Sequence, residues 1–271
     1  MDELRDLIGK ERDLDVVSGA LRDAVLRLHP AVVGALELNC SDESELECGA
    51  VFQRQFVDHL LPDLKTAARA PFRTCNLGAR YEWGSVRVAE HHYALPASAD
   101  AFKVMLLKLN GHVSVETGPQ GPLFGPMRRY DTESAACGAL HALLAGQKLP
   151  ALTELREALT GDGHDRLTTL LDPQRVNPAH RHLFASIASI RRQAERALDD
   201  IREHPPHTPT LYIVVPCVTF NRSGPDTEMI VGVARVDRRG DGATEEYLGL
   251  GDDPARYQVQ VSAGRIRVSE A

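Results

Sequence analysis

Between Pro178 and Glu203 the chain carries one long amphipathic helical pattern. Leu183, Phe184, Ile187, Ile190, Ala194, Ala197, Leu198 and Ile201 recur at helical spacing and form one apolar stripe. A stripe that wide needs another layer to bury it. The opposite face carries Arg191, Arg192, Glu195, Arg196, Asp199 and Arg202, which i,i+3 and i,i+4 pairing can hold in solvent. The run His204 to Pro209 breaks the helix.

Beyond that break the chain reads as a β-meander. Strands are expected over Leu211 to Phe220, Met229 to Val236, Glu245 to Leu250, Tyr257 to Val261 and Ile266 to Val268. Turns separate them at Asn221 to Asp226, at Arg238 to Gly242 and, as a two-residue hairpin, at Ala263-Gly264.

A second strand-forming region lies in the middle of the chain. Tyr81 to Tyr93 is rich in aromatic and β-branched residues and reads as a strand. Leu107, Leu109, Gly111, Val113 and Val115 alternate with Lys108, Asn110, His112, Ser114 and Glu116, which gives a strand with one apolar and one polar side. Two other readings of that stretch stand beside it: a hairpin turning at Asn110-Gly111, or a helix capped by Asp100 and stopped by Gly111. The segment Gly118 to Pro126 holds three glycines and three prolines and reads as an irregular loop.

Helices fill the rest. They are expected over Met1 to Leu28, Glu45 to Leu60, a restart at Pro62 reaching Ala68, Asp131 (as N-cap) to Ala145, Pro150 to Leu159 and Arg166 to Leu171. Ala31 to Leu38 is a short apolar run with strand character. The fold class that fits is α+β: an antiparallel or mixed sheet built from the middle and C-terminal strands and covered by the N-terminal and central helices. The expected organisation is a single domain over 1–271, helical over 1–70, strand and loop over 75–130, helical again over 131–204 and β-rich over 209–269.

Composition excludes some functions. A net charge of −7 argues against general nucleic-acid binding. No apolar run is long enough to span a bilayer. The charged amino-terminal stretch lacks a signal-peptide core, and five cysteines with no close pair do not make a disulfide framework, so a cytoplasmic location is expected. The phosphate-binding G-x-x-x-x-G-K-[ST], the dinucleotide G-x-G-x-x-G and the G-x-S-x-G elbow are all absent.

Three groups of side chains could carry chemistry. His92 and His112, with Glu82 and Glu116, supply the imidazole and carboxylate donors that a divalent transition metal takes, and Glu90 is the candidate base beside them. Their plainer role is as hydrogen-bonded polar residues of strands. Cys137 and His141 lie one helical turn apart, the spacing of a cysteine nucleophile with its base, though a cysteine among alanines and leucines is also an ordinary core residue. Arg128 and Arg129 could hold an anion or simply be solvated.

The resulting expectation is a metal-dependent hydrolase or lyase acting on a small-molecule substrate. The alternatives are a non-catalytic binding or assembly protein working as a homo-oligomer, and a cysteine-dependent enzyme.

Overall fold

The structure is a computed structural model. It describes residues 2–40, 46–55, 71–76, 79–93, 95, 101–119, 121–129, 132–135, 137–161, 165–240, 244–251 and 253–271. Helix α1 (Asp2–Arg5), strand β1 (Glu11–Asp13) and helix α2 (Leu14–Leu26) lead into β2 (Val32–Cys40), α3 (Leu46–Arg54) and β3 (Phe72–Asn76). Helix α4 (Trp83–His92) precedes β4 (Lys103–Gly118), which turns back through β5 (Gly121–Phe124). The hairpin β6 (Pro126–Arg129) and β7 (Thr132–Ala135) leads to α5 (Gly138–Leu144), α6 (Thr153–Thr160), α7 (Arg166–Leu171) and α8 (Arg181–Glu203). The remaining strands are β8 (Thr210–Asn221), β9 (Thr227–Ile230), β10 (Gly232–Arg238), β11 (Thr244–Gly249), β12 (Tyr257–Ser262) and β13 (Arg265–Glu270).

The fold is α+β, and its main sheet is mixed. Strands run in the order β1-β9-β8-β4-β2-β3, with β10 also on β8, β11 on β10 and β5 on β4. The block β8-β4-β2-β3 is parallel. Strands β9 and β10 pair antiparallel with the two halves of β8. The middle strand β4 and the C-terminal strands β8 to β11 therefore share one sheet, joined where β4 and β8 pair from Lys103↔Thr210 to Ser114↔Asn221, whereas β12 and β13 pair with each other in a separate hairpin, as do β6 and β7.

Every residue of β2 and β8 is buried, the pattern of strands covered on both faces. On one face α8 lays Leu183, Ile187, Ile190 and Ala194 over Leu107, Leu109 and Val214. Contact there is close, since a Cβ on Gly111 would come within 2.8 Å of Ser186 Oγ. On the other face Val17, Leu21 and Val25 of α2 and Phe52 of α3 cover Val33, Ala35, Val104 and Leu106.

Several expectations need correction. Trp83–His92 is a helix, not a strand. Val86, Ala89, Glu90 and Tyr93 are its buried positions, and their i, i+3, i+4, i+7 spacing is helical. The Gly/Pro-rich segment is not wholly irregular. Its residues Gly121–Phe124 pair with the end of β4, and Pro122 is tolerated because β5 is an edge strand. The amino-terminal helix is interrupted. Gly9 adopts φ +71° with Val268 O so close that no side chain fits, and β1 comes directly after it. The helix expected to start at Asp131 starts after Cys137, because Thr132–Ala135 is strand β7. Asp131 itself and the restart at Pro62 lie outside the described residues.

No helix among the described residues is long and apolar enough to cross a membrane.

Candidate metal centre

Parallel strands leave a crevice beyond their carboxyl ends, where ligands characteristically bind. Cys40 is the last residue of β2, His112 lies in the second half of β4, and Asn221 ends β8. Cys137 arrives from the other direction as the N-cap of α5. Cys40, His112 and Cys137 each present one donor atom, and the three atoms lie within 4.8 Å of one another. All three residues are buried.

The spacing fits a metal. Cys40 Sγ and Cys137 Sγ are 3.7 Å apart. Two thiolates on one tetrahedral zinc, each at about 2.3 Å, stand about 3.8 Å from each other. His112 is oriented as metal-bound histidines are. Its Nδ1 is 3.0 Å from Asn221 Oδ1, and Asn221 Nδ2 donates to Asp226 Oδ2 at 3.1 Å. Because the amide nitrogen is engaged by Asp226, the amide oxygen faces the ring. An amide oxygen only accepts, so Nδ1 carries the proton of the neutral ring and Nε2 keeps its lone pair.

The hydrogen bond to Cys40 and burial hold the Cys137 thiol well above its ordinary range, while backbone N–H groups of Leu140 and Ala139 pull it down. A cation held between the two sulfurs would remove the first effect, because a coordinating thiol loses its proton outright.

A second polar cluster occupies the same strands, nearer their middle. Lys108, fully buried, has Nζ 2.9 Å from Glu228 Oε1, 3.4 Å from Glu37 Oε1 and 3.3 Å from Cys48 Sγ. Burial alone lowers its ammonium, yet Cys48, Glu228 and Glu37 together hold it well above its usual value. Arg73 Nε closes the group at 3.1 Å from Glu37 Oε2.

The remaining candidates are dispersed. Lys103 Nζ touches the Glu90 carbonyl, so the end of α4 sits at the start of β4. His112 is nine residues further on, about 30 Å along an extended strand. Glu90 therefore lies at the opposite end of the sheet from His112, bonded to Arg87 and Tyr212. His92 packs edge-on against Phe72 and Tyr93, next to that same end. Glu82 pairs with Arg80 ahead of α4. Glu116 is half-buried opposite Leu123 of β5. His141 Nδ1 is 3.2 Å from His182 Nε2, and their rings stack. Arg128 and Arg129 belong to β6, and their side chains lie outside the described residues.

Cys40 was not among the residues that sequence reasoning singled out. It ends an apolar run and has no ligand-spaced neighbour, so the only signal was a cysteine just past a strand.

No protein-family model matches the chain, and no curated protein matches it. Solved structures do. The crystal structure of PtLCIB4, a homolog of the limiting CO2-inducible protein LCIB, is 15% identical. It covers 91% of this chain and 99% of its own, with a TM-score of 0.59. A histidine-to-alanine mutant of PtLCIB4 gives a TM-score of 0.57 at 14% identity, covering 87% and 93%. Limiting CO2-inducible protein LCIB itself gives 0.50 at 16% identity, covering 89% and 98%. At these identities the likeness is one of fold.

Proposed function

We propose that this chain is a zinc enzyme of the lyase type that adds water to a small, uncharged electrophile, with carbon dioxide as the favoured substrate. The observation that carries the reading is the 3.7 Å separation of two buried sulfurs beside a histidine held from behind by an amide. Cys40, His112 and Cys137 would hold the ion. A Cys2His set with one position left over is a known catalytic donor set, and zinc so bound acts as a Lewis acid that brings the pKa of water to about 7. Asn221 and Asp226 orient the imidazole. The buried walls keep bulk water from competing and strengthen charge interactions inside. Carbon dioxide is favoured because the similar solved proteins carry it in their names.

The test is elemental analysis of the purified protein together with stopped-flow measurement of carbon dioxide hydration. The expected result is about one zinc per chain and a hydration rate above the uncatalysed one. Cys40→Ser, His112→Ala and Cys137→Ser should each lose the metal and return the rate to background. A metal-free protein with a Cys40–Cys137 disulfide would replace this reading with a redox pair. Bound zinc without hydration would keep the centre and remove the substrate.

A further inference from the structure

At the other end of the parallel block, where β4 and β8 begin, lies a cavity of about 570 Å³. It is remote from Cys40, His112 and Cys137, since His112 lies nine positions beyond Lys103 along β4. Arg87, Glu90, His91, Lys103, His207 and Thr208 supply its polar lining, and Val88, Tyr93 and Leu95 its apolar wall.

Among the described residues its charges do not balance. Lys103 is only 2% exposed, and its Nζ donates to the carbonyls of Glu90 at 2.8 Å and Tyr93 at 3.1 Å. An ammonium has three N–H donors, so one of them has no acceptor among the described residues. The Glu90 carboxylate cannot neutralise both cations. Its Oε2 accepts from Arg87 Nη1 at 2.8 Å and its Oε1 from the Tyr212 hydroxyl at 3.1 Å. Arg87 Nη2 lies 2.6 Å from His207 Nε2. Thr208 Oγ1 is shielded from solvent and also has no hydrogen-bond partner among the described residues. Burial disfavours the Lys103 ammonium, the Glu90 carboxylate supports it and Arg87 opposes it, so a second anion beside Lys103 and Arg87 would offset the cost of burying the charge. Val88, 62% exposed, sits at the rim.

We propose that this cavity binds a small organic acid, its carboxylate received by Lys103, Arg87 and Thr208 and its apolar body resting on Val88, Tyr93 and Leu95. A few convergent polar groups in a largely apolar cleft of this size are the usual make-up of a small-molecule site. The site is independent of the metal centre and of the function proposed for it.

The probe is benzoate, followed by equilibrium dialysis with radiolabel and by emission of Trp83. This is the only tryptophan of the chain, and the Arg87 guanidinium lies 5.7 Å from the centre of its ring. Saturable binding of one benzoate per chain is expected, with a change in Trp83 emission. Benzyl alcohol should bind at least tenfold more weakly for want of charge, and inorganic phosphate at least tenfold more weakly for want of an apolar body. Arg87→Gln should raise the benzoate Kd at least tenfold. Val88→Asp, at the exposed rim where folding is not at stake, should raise it severalfold. Non-saturable uptake, equal binding of benzyl alcohol, equal binding of phosphate, or an unchanged Kd in both variants would each overturn the assignment.

Discussion

Replacing Asn221 by alanine takes away the acceptor of His112 Nδ1 while leaving all three candidate donors in place. Partners of this kind typically govern metal affinity by 10–100-fold. The zinc dissociation constant of Asn221→Ala, measured by competition with a chromogenic chelator, should rise by about that factor. A second residue-scale prediction concerns His182. Burial first, then the charges of His141 and Arg181, lower its pKa from 6.5 to about 4. Between those values the unfolded chain binds a proton at this position that the folded chain refuses. Stability therefore falls as pH drops from about 6.5 to about 4. The melting temperature of His182→Gln should show a shallower decline across that window than the native protein. At this scale the sequence offered His112 and Cys137 as separate candidates. Their meeting with Cys40 was not legible, because ligands at 40, 112 and 137 leave no local spacing to read.

The elements show where periodicity works and where it misleads. The stripe of α8 was readable because its long run of apolar residues allows only one period. Trp83–His92 was not, because in ten residues with two valines an alternating pattern and a helical one both fit. Strand β2 was visible only in part, since Glu37 and Asn39 interrupt its apolar run. Those interruptions are the buried polar cluster, and no one-dimensional pattern announces that Glu37, Lys108 and Glu228 come from three strands. The cluster predicts an asymmetric mutational response. Lys108→Met leaves Glu37 with Arg73 alone and takes from Glu228 its Lys108 partner, and breaking a buried pair costs about 3–5 kcal/mol. Chemical denaturation should record a loss of that order. The triple replacement Glu37→Gln, Lys108→Met, Glu228→Gln should recover part of it. Equal stability of native and Lys108→Met proteins would show that Arg73 satisfies Glu37 and that Glu228 does not need the ammonium.

For the whole molecule, the mixture of helix and sheet was readable from the order of patterns along the chain, and the sharing of one sheet by β4 and the strands β8 to β11 was expected, whereas β12 and β13 stand apart as a hairpin of their own. That β3, β2, β4 and β8 run parallel was not. Parallel neighbours are joined by long crossovers, so pairing is decided by packing between segments far apart in sequence. The candidate centre ties three such segments together, which gives the last prediction. A ligand that binds only the folded state adds about 4 kcal/mol when present at a thousandfold its dissociation constant. Treating the native protein with a strong chelator should lower its melting temperature by several degrees and leave that of Cys40→Ser unchanged.

The separation of 97 positions between Cys40 and Cys137 also imposes an order of events at birth. A ribosome releases the first sulfur well before the second, and the two can meet only after β2 and β4 have paired and α5 has docked. If the proposed centre holds an ion, then, unlike a finger peptide that curls around its ion, this chain would have to become a scaffold first, and cellular loading would be an encounter between a finished fold and whatever carries the ion to it.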